Sequence, residues 1–279
     1  MDILIGADPE LFVKKDGRFH SAHGLVPGNK KNPFLVKNGA VQVDGMALEF
    51  NIEPAKEKKE FVYNIESVLS SLREMVPSEY VFDFSAVAKF DSTHMSNQPR
   101  EALEIGCEAD FDAYTEEQKP PPIIPTTLRS AGGHIHIGWT EDEDPMESSH
   151  FLSCCQIARQ LDYFLGIPSI ILDKDDLRKP AYGEAGSFRP KSYGLEYRVL
   201  SNFWIKNREY MEFVFTQTKL AFDVFVNKHF DYFIEYSHHA SSIINTNDRV
   251  AAKHFVEGVN GIIGQYNIYE FVSNGKVVR

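Results

Sequence analysis

Gly133-His134-Ile135-His136-Ile137-Gly138-Trp139 alternates without a break. In an extended chain, successive side chains point to opposite faces. Ile135 and Ile137 therefore turn towards a core, and His134 and His136 turn together the other way. Gly132 and Gly133 precede them and permit close approach of another group. One histidine on a strand is usually structural. Two on one face behind a glycine pair point to function, as metal ligands or as donors to phosphate.

Working outward, residues 3–5 and 11–13 read as strand, with Asp16-Gly17 as a hairpin turn. Residues 41–53, VQVDGMALEFNIE, and 81–90 read as further strand. Phe61, Ile65, Val68, Leu69 and Leu72 fall at helical spacing over 61–75, and Pro77 closes that helix. Residues 91–130, with Pro120-Pro121-Pro122 and Pro125, predict a long irregular excursion, either a lid or a surface loop. A helix over 146–165, a Gly-, Arg- and Tyr-rich loop over 176–193 and a strand over 194–204 follow. Helices over 207–236 and 248–257 end the pattern. Strands and helices alternate without a regular βαβ rhythm, so the expected fold is α+β with an antiparallel or mixed sheet. No internal repeat or linker divides the chain, and one domain over 1–279 is expected.

The 279 residues are 43% hydrophobic and 25% charged, the balance of a soluble globular enzyme. No run approaches the ~18 apolar residues of a membrane span. Met1-Asp2-Ile3-Leu4-Ile5 carries no basic leader, so a cytoplasmic protein is expected. A net charge of −11 argues against a general nucleic-acid binder, whose affinity comes from Lys and Arg. The acidity serves either solubility or the carriage of metal ions. Cys107, Cys154 and Cys155 form neither a disulfide framework nor a paired zinc motif, and the last two read as core thiols.

Three further constellations join the histidines. Asp8 and Glu10 flank Pro9 and share a strand face. Two carboxylates side by side repel unless a cation sits between them, although two solvated acids at a strand end would read the same. Glu49, Asn51 and Glu53 share a face of an otherwise apolar strand, with Asp44 just before it; this is a wet functional face or the solvent side of an edge strand. The richest stretch runs from Asp176-Leu177-Arg178 through Tyr182, Glu184, Arg189 and Lys191 to Glu196-Tyr197-Arg198. Arginine forks suit phosphate and carboxylate, and acids with histidine suit Mg²⁺ or Mn²⁺ bridging phosphate oxygens. No phosphate-binding Gly-x₄-Gly-Lys loop and no nucleophilic triad signature is present.

The order of these motifs resembles the carboxylate–amine ligases of the glutamine synthetase and glutamate–cysteine ligase fold. It is most similar to the phage phiEco32-like COOH–NH2 ligase type 2 family. The resemblance is carried by GADPELFV (6–13), VDGMALEFN (43–51), AGGHIHIG (131–138) and RKPAYGEAGSFRPKSYGLEYRVLSNFW (178–204). It implies a curved, mostly antiparallel sheet with packed helices, and an ATP- and Mg²⁺- (or Mn²⁺-) dependent ligase working through an acyl phosphate. Carried over by motif, the metal ligands would be Asp8, Glu10, Glu49, His134 and Glu196. Asp44 is a further candidate, although its spacing to Glu49 differs between branches. Asp8 stands where the family usually has glutamate, which shortens the reach by a methylene. Arg189 and Arg198 would meet phosphates and act in catalysis with Glu196. His136, Arg178, Tyr182 and Lys191 would complete the nucleotide contacts. The implied partners are a small-molecule or peptide carboxylate and an amine, with a modified nucleobase as the one nucleic-acid substrate left open. A single chain and a homo-oligomer both stay open, as do a carboxyl or guanidino kinase and a catalytically inactive, virion-associated nucleotide- or metal-binding protein.

Overall fold

The computed structural model describes residues 2–103, 109–120, 125–179, 182–227 and 234–260. Among these, twelve strands and eight α-helices alternate. The strands are β1 (Leu4–Lys15), β2 (Arg18–His20), β3 (Phe34–Val36), β4 (Gly39–Asp44), β5 (Ala47–Ile52), β6 (Val81–Asp83), β7 (Val87–Lys89), β8 (Phe111–Asp112), β9 (Leu128–Ser130), β10 (Gly133–Gly138), β11 (Ser187–Lys191) and β12 (Gly194–Tyr197). The helices are α1 (Lys58–Met75), α2 (Ser92–Ser96), α3 (Arg100–Leu103), α4 (Ser148–Leu161), α5 (Ile167–Leu172), α6 (Arg208–Val226), α7 (Ile234–Asn245) and α8 (Arg249–Asn260).

Ten strands form one sheet in the order β3-β4-β5-β1-β10-β12-β11-β8, with β2 and β6 also paired to β1. Its pairings are antiparallel. The fold is therefore a mixture of helix and antiparallel sheet. Alternation decides which side of each strand is buried. Ile5, Ala7, Leu11 and Val13 of β1 join Ile135, Ile137, Leu195, Leu48 and Phe50 in the main core. α1, α4 and α6 pack over that side, where Phe61 stacks on Trp204 with ring centroids 6.0 Å apart.

The other face is divided along the strands. At one end Phe12 and Ala47 lie in a second, smaller apolar cluster with Ala88, Phe90, Met95, Ala102 and Ala131. The small β7–β9 sheet, α2 and α3 contribute to it and close that end. The polar residues occupy the middle, and Leu4, Gly6 and Gly138 lie towards the open end.

Several boundaries differ from the sequence expectation. β1 is one strand from 4 to 15, and the Asp16-Gly17 turn follows it with φ of 51° and 75°, the positive angles a tight hairpin requires. Residues 41–53 form two strands, because Gly45 at φ 57° turns the chain back. Residues 81–90 hold β6 and β7, which pair in different sheets. The region 91–130 contains α2, α3, β8 and β9; residues 104–108, with Cys107, and 121–124 lie outside the described residues. The helix expected over 146–165 breaks into a π-helical turn at Asp162–Gly166 before α5. The second half of the loop expected at 176–193 is β11, hairpinned to β12. The strand expected to 204 stops at Tyr197, and a 3₁₀ turn spans Asn202–Lys206. α6 ends at Val226, and residues 228–233 of the helix expected to 236 lie outside the described residues.

Candidate metal and phosphate site

The antiparallel register brings the polar residues together across six strands. Asp8 stands opposite His134, and His136 opposite Glu196. Glu196 in turn faces Arg189, while Glu10 faces Glu49 and Glu49 faces Gln42. Residues far apart in sequence thus become neighbours on one face, with directly opposed Cβ atoms about 5 Å apart.

Asp8 Oδ1 lies 3.1 Å from His136 Nε2 and 3.3 Å from His134 Nδ1. Asp8, His136 and Glu196 each offer a ligand atom within 4.8 Å of the others. His136 Nδ1 hydrogen-bonds the Tyr193 hydroxyl, which orients the ring and leaves Nε2 towards Asp8. His134 lies between Asp8 and Glu196 on one side and Gly132 on the other. Its Nδ1 lies 3.6 Å from Glu196 Oε1, and its Nε2 is the atom nearest the position of an added Cβ at Gly132. The Gly132 N–H donates to Glu10 Oε2 at 2.8 Å. His134 Nε2 is buried with no hydrogen-bond partner among the described residues.

Protonation follows this arrangement. Burial raises the Asp8 carboxyl, but His136 and His134 outweigh it and hold Asp8 well below the ordinary range. Burial and Asp8 push Glu196 up, yet Arg198, His136 and His134 bring it down to about 2. Burial, then Asp44, raises Glu10 to about 7. Burial, followed by Asp8, Glu10 and Asp44, raises Glu49 well above its usual value. Burial and the Arg198 charge lower His134, keeping its imidazole neutral as a metal ligand must be. Glu10 and Glu49, raised by burial and by the charges around them, form a pair that a divalent cation would deprotonate, while Asp8 and Glu196 are already ionised. The donor set therefore fits hard divalent ions.

The cations lie on the β11–β12 side. Arg198 Nη1 donates to Glu196 Oε1 and to His134 Nδ1 (3.1 Å for the latter), and Nη2 donates to the Tyr182 hydroxyl. Lys191 Nζ lies 2.8 Å from Glu196 Oε2, an ion pair with a buried carboxylate at the border of the cluster. Asp110 Oδ1 lies 3.0 Å from Arg189 Nε and 2.9 Å from Arg198 Nε, tying the two guanidinium groups to one carboxylate.

Residues 124–242 match the model of the phage phiEco32-like COOH.NH2 ligase-type 2 family. This is the family that the motifs resemble, and the match supports carboxylate–amine ligase chemistry. The ligase-family match contains the histidine strand and the Glu196–Arg198 segment; the acids of β1 and β5 precede it. The crystal structure of a bifunctional glutathione synthetase from Pasteurella multocida aligns with a TM-score of 0.43 and 9% identity, over 98% of this chain and 52% of that one. This chain thus spans about half that protein's length. No curated protein matches it.

Not every expected residue enters the cluster. Asp44 pairs with Lys30 at 2.7 Å, although its charge still reaches Glu10 and Glu49. Arg178 is buried, donates to the Val199 carbonyl at 2.9 Å and lies over the Tyr182 ring, which also faces Arg198. Glu184 is exposed and pairs with Lys119, and Asp176 pairs with Arg249 on the surface. Glu53 is exposed. The sequence reading missed Asp110, Tyr193 and Gln42. Asp110 stands in a stretch with no periodicity, and Gln42 gains its place only through the β4–β5 register.

Proposed function

We propose that this protein is an ATP- and Mg²⁺-dependent carboxylate–amine ligase on a glutamine synthetase-like sheet, acting as one catalytic unit in the cytoplasm. The observation that carries this reading is the seam at Glu196. Acids and histidines gather on one side of it and Arg189, Lys191 and Arg198 on the other. Asp8, His136 and Glu196 would hold one divalent ion; Glu10 and Glu49, with His134 between the groups, would hold another. Mg²⁺ or Mn²⁺ held by these residues would supply positive charge to offset that of the nucleotide phosphates.

The chain's own groups then have distinct tasks. Arg198 and Arg189 offset charge on the transferred phosphoryl group, with Asp110 fixing their planes. Lys191 lines the phosphate path, and Tyr182 steadies Arg198. A substrate carboxylate oxygen attacks the terminal phosphorus, the bond to the bridging oxygen breaks and ADP leaves. The nitrogen of the amine attacks the resulting acyl phosphate, the C–N bond forms, the C–O bond to phosphate breaks, and the nitrogen sheds a proton.

The test is ADP release from ATP and Mg²⁺ with panels of acids and amines. A ligase gives amine-dependent amide product and loses at least 100-fold in rate with Glu196→Ala or Arg198→Ala. A kinase would give a stable phosphorylated product without amine. Parent-like ADP release by both variants would remove the assignment.

A further inference from the structure

A cavity of about 680 Å³ opens on the polar face of the sheet beside the acids. Asp8, Glu49 and His136 line its inner end, and Gln42 and Asn51 line its side. Gly6 and Gly138, without side chains, leave the floor low, and Leu4, Ile52 and Pro54 make it apolar. Arg189, Lys191 and Arg198, the cations that suit phosphate, are not among its lining residues.

Two independent features give this cavity a preference. The first is Gln42. It is 8% exposed, and its Nε2 donates to Glu49 Oε2 at 2.6 Å, which fixes the amide plane. Its Oε1 is buried with no hydrogen-bond partner among the described residues. A buried acceptor left bare is costly, and a ligand N–H would satisfy it. The second is the rim. Exposed Asp2 and Glu141 line it, and exposed Asp142, Glu143 and Asp144 follow Glu141 in the chain. One cation, Lys56, lines the rim 4.0 Å from Asp2. The wall and rim therefore accept hydrogen bonds and attract positive charge, whereas a polyphosphate would meet repulsion.

We propose that this cavity is the amine subsite of the ligase and that its occupant is a cationic aliphatic amine, carrying one primary amine to the acids and a second positive charge at the rim. The inference rests on the ligase reading and gives it a substrate class. Gln42 Oε1 accepts the N–H of the inner amine, the apolar floor takes the methylene chain, and Glu141 meets the outer charge. The nucleotide phosphates lie on the opposite side of the Asp8–Glu196 seam.

The probe is 1,4-diaminobutane, titrated calorimetrically into the full chain, with 1,4-butanediol as the uncharged control. The diamine is expected to bind and the diol not to bind. Gln42→Met is expected to weaken diamine binding about tenfold. Glu141→Lys, a surface change that leaves the fold intact, should weaken it severalfold and flatten its salt dependence. Glu141→Lys, which touches none of the metal-site residues, should leave the affinity for Mg²⁺-ATP unchanged. Absence of diamine binding would overturn the proposal. So would weakened ATP binding in Glu141→Lys with the diamine unaffected, because the cavity would then belong to the nucleotide. The two readings fail separately. Diamine binding without ADP release from any acid–amine pair would sink the ligase reading. Amine-dependent ADP release without diamine binding would sink the subsite alone.

Discussion

A Cβ added at Gly132 would lie 2.2 Å from Nε2 of His134, so the imidazole occupies the space that any larger residue at 132 would need. The same glycine donates its N–H to Glu10, so it supports both Glu10 and the place of the His134 ring. Gly132→Ala must displace the ring or the strand end. The expected result is a folded protein whose Mn²⁺ affinity falls about tenfold, the scale seen when the support of a metal ligand is lost. Calorimetric titration with Mn²⁺ checks it. Unchanged affinity would show that His134 does not touch the ion.

Asp110 holds the Nε atoms of both Arg189 and Arg198. Asp110→Asn keeps the shape and removes the charge, so both guanidinium groups lose their shared anchor. Charge-assisted contacts of this kind contribute on the order of 1.5–3 kcal/mol each. The KM for ATP is expected to rise about tenfold, with the circular dichroism spectrum unaltered. A change in the amine KM alone would place the pair away from the nucleotide.

The central part of this site was legible because a strand has a period of two. His134 with His136, Asp8 with Glu10, and Glu196 with Arg198 could be set on one side of their segments from spacing alone. Which strand lies beside which could not, because neighbour order in an antiparallel sheet depends on long-range pairing rather than local pattern. Gln42 shows the difference: it reads as an ordinary strand residue until the β4–β5 register sets it against Glu49. Asp110 was hidden for another reason, since its only signal is the approach of two arginines from 189 and 198. Asp162 did carry a signal, a carboxylate following the apolar helical face of Ala158 and Leu161. Its partners Tyr114 and Tyr197, however, arrive from other segments.

Asp162 gives a pH prediction. It is fully buried and accepts hydrogen bonds from Tyr197 (2.7 Å), Tyr114 (2.9 Å) and the Gly186 N–H (2.7 Å). Burial nevertheless raises its carboxyl from 3.8 to about 6. The folded state then binds the proton more tightly than the unfolded chain. The stabilising contribution is complete below about pH 4 and is lost as pH rises through 6, a difference of roughly 3 kcal/mol. Asp162→Asn stays neutral throughout, and the acceptor it loses costs the same at every pH. Its stability relative to the parent should therefore improve by roughly 3 kcal/mol between pH 4 and 7, read from urea midpoints. Lys179, lowered to about 7 by burial and Arg178, titrates at the upper edge of this window and is present in both proteins. A flat difference across pH 4 to 7 would mean that Asp162 ionises normally.

If Asp8, His136 and Glu196 hold a cation, the ion binds the folded chain and not the unfolded one. Mg²⁺ at 100 times its dissociation constant should then add about 2.7 kcal/mol. For a chain of this size that is a rise of roughly 5–8 °C in melting temperature, reversed by a chelator. Asp8→Asn keeps the volume and hydrogen-bonding shape but removes the charge between the two histidines, and it should abolish the rise. Glu196→Gln should do the same, because its carboxylate is the second anionic donor within 4.8 Å. Asp176→Asn is the control: that acid stands in the same arginine-rich stretch but pairs with Arg249 at 2.6 Å on the surface. Its protein should keep the full Mg²⁺ response. A parent-like rise in Asp8→Asn would locate the ion elsewhere, and a lost rise in Asp176→Asn would mean that the response is a diffuse effect of surface charge.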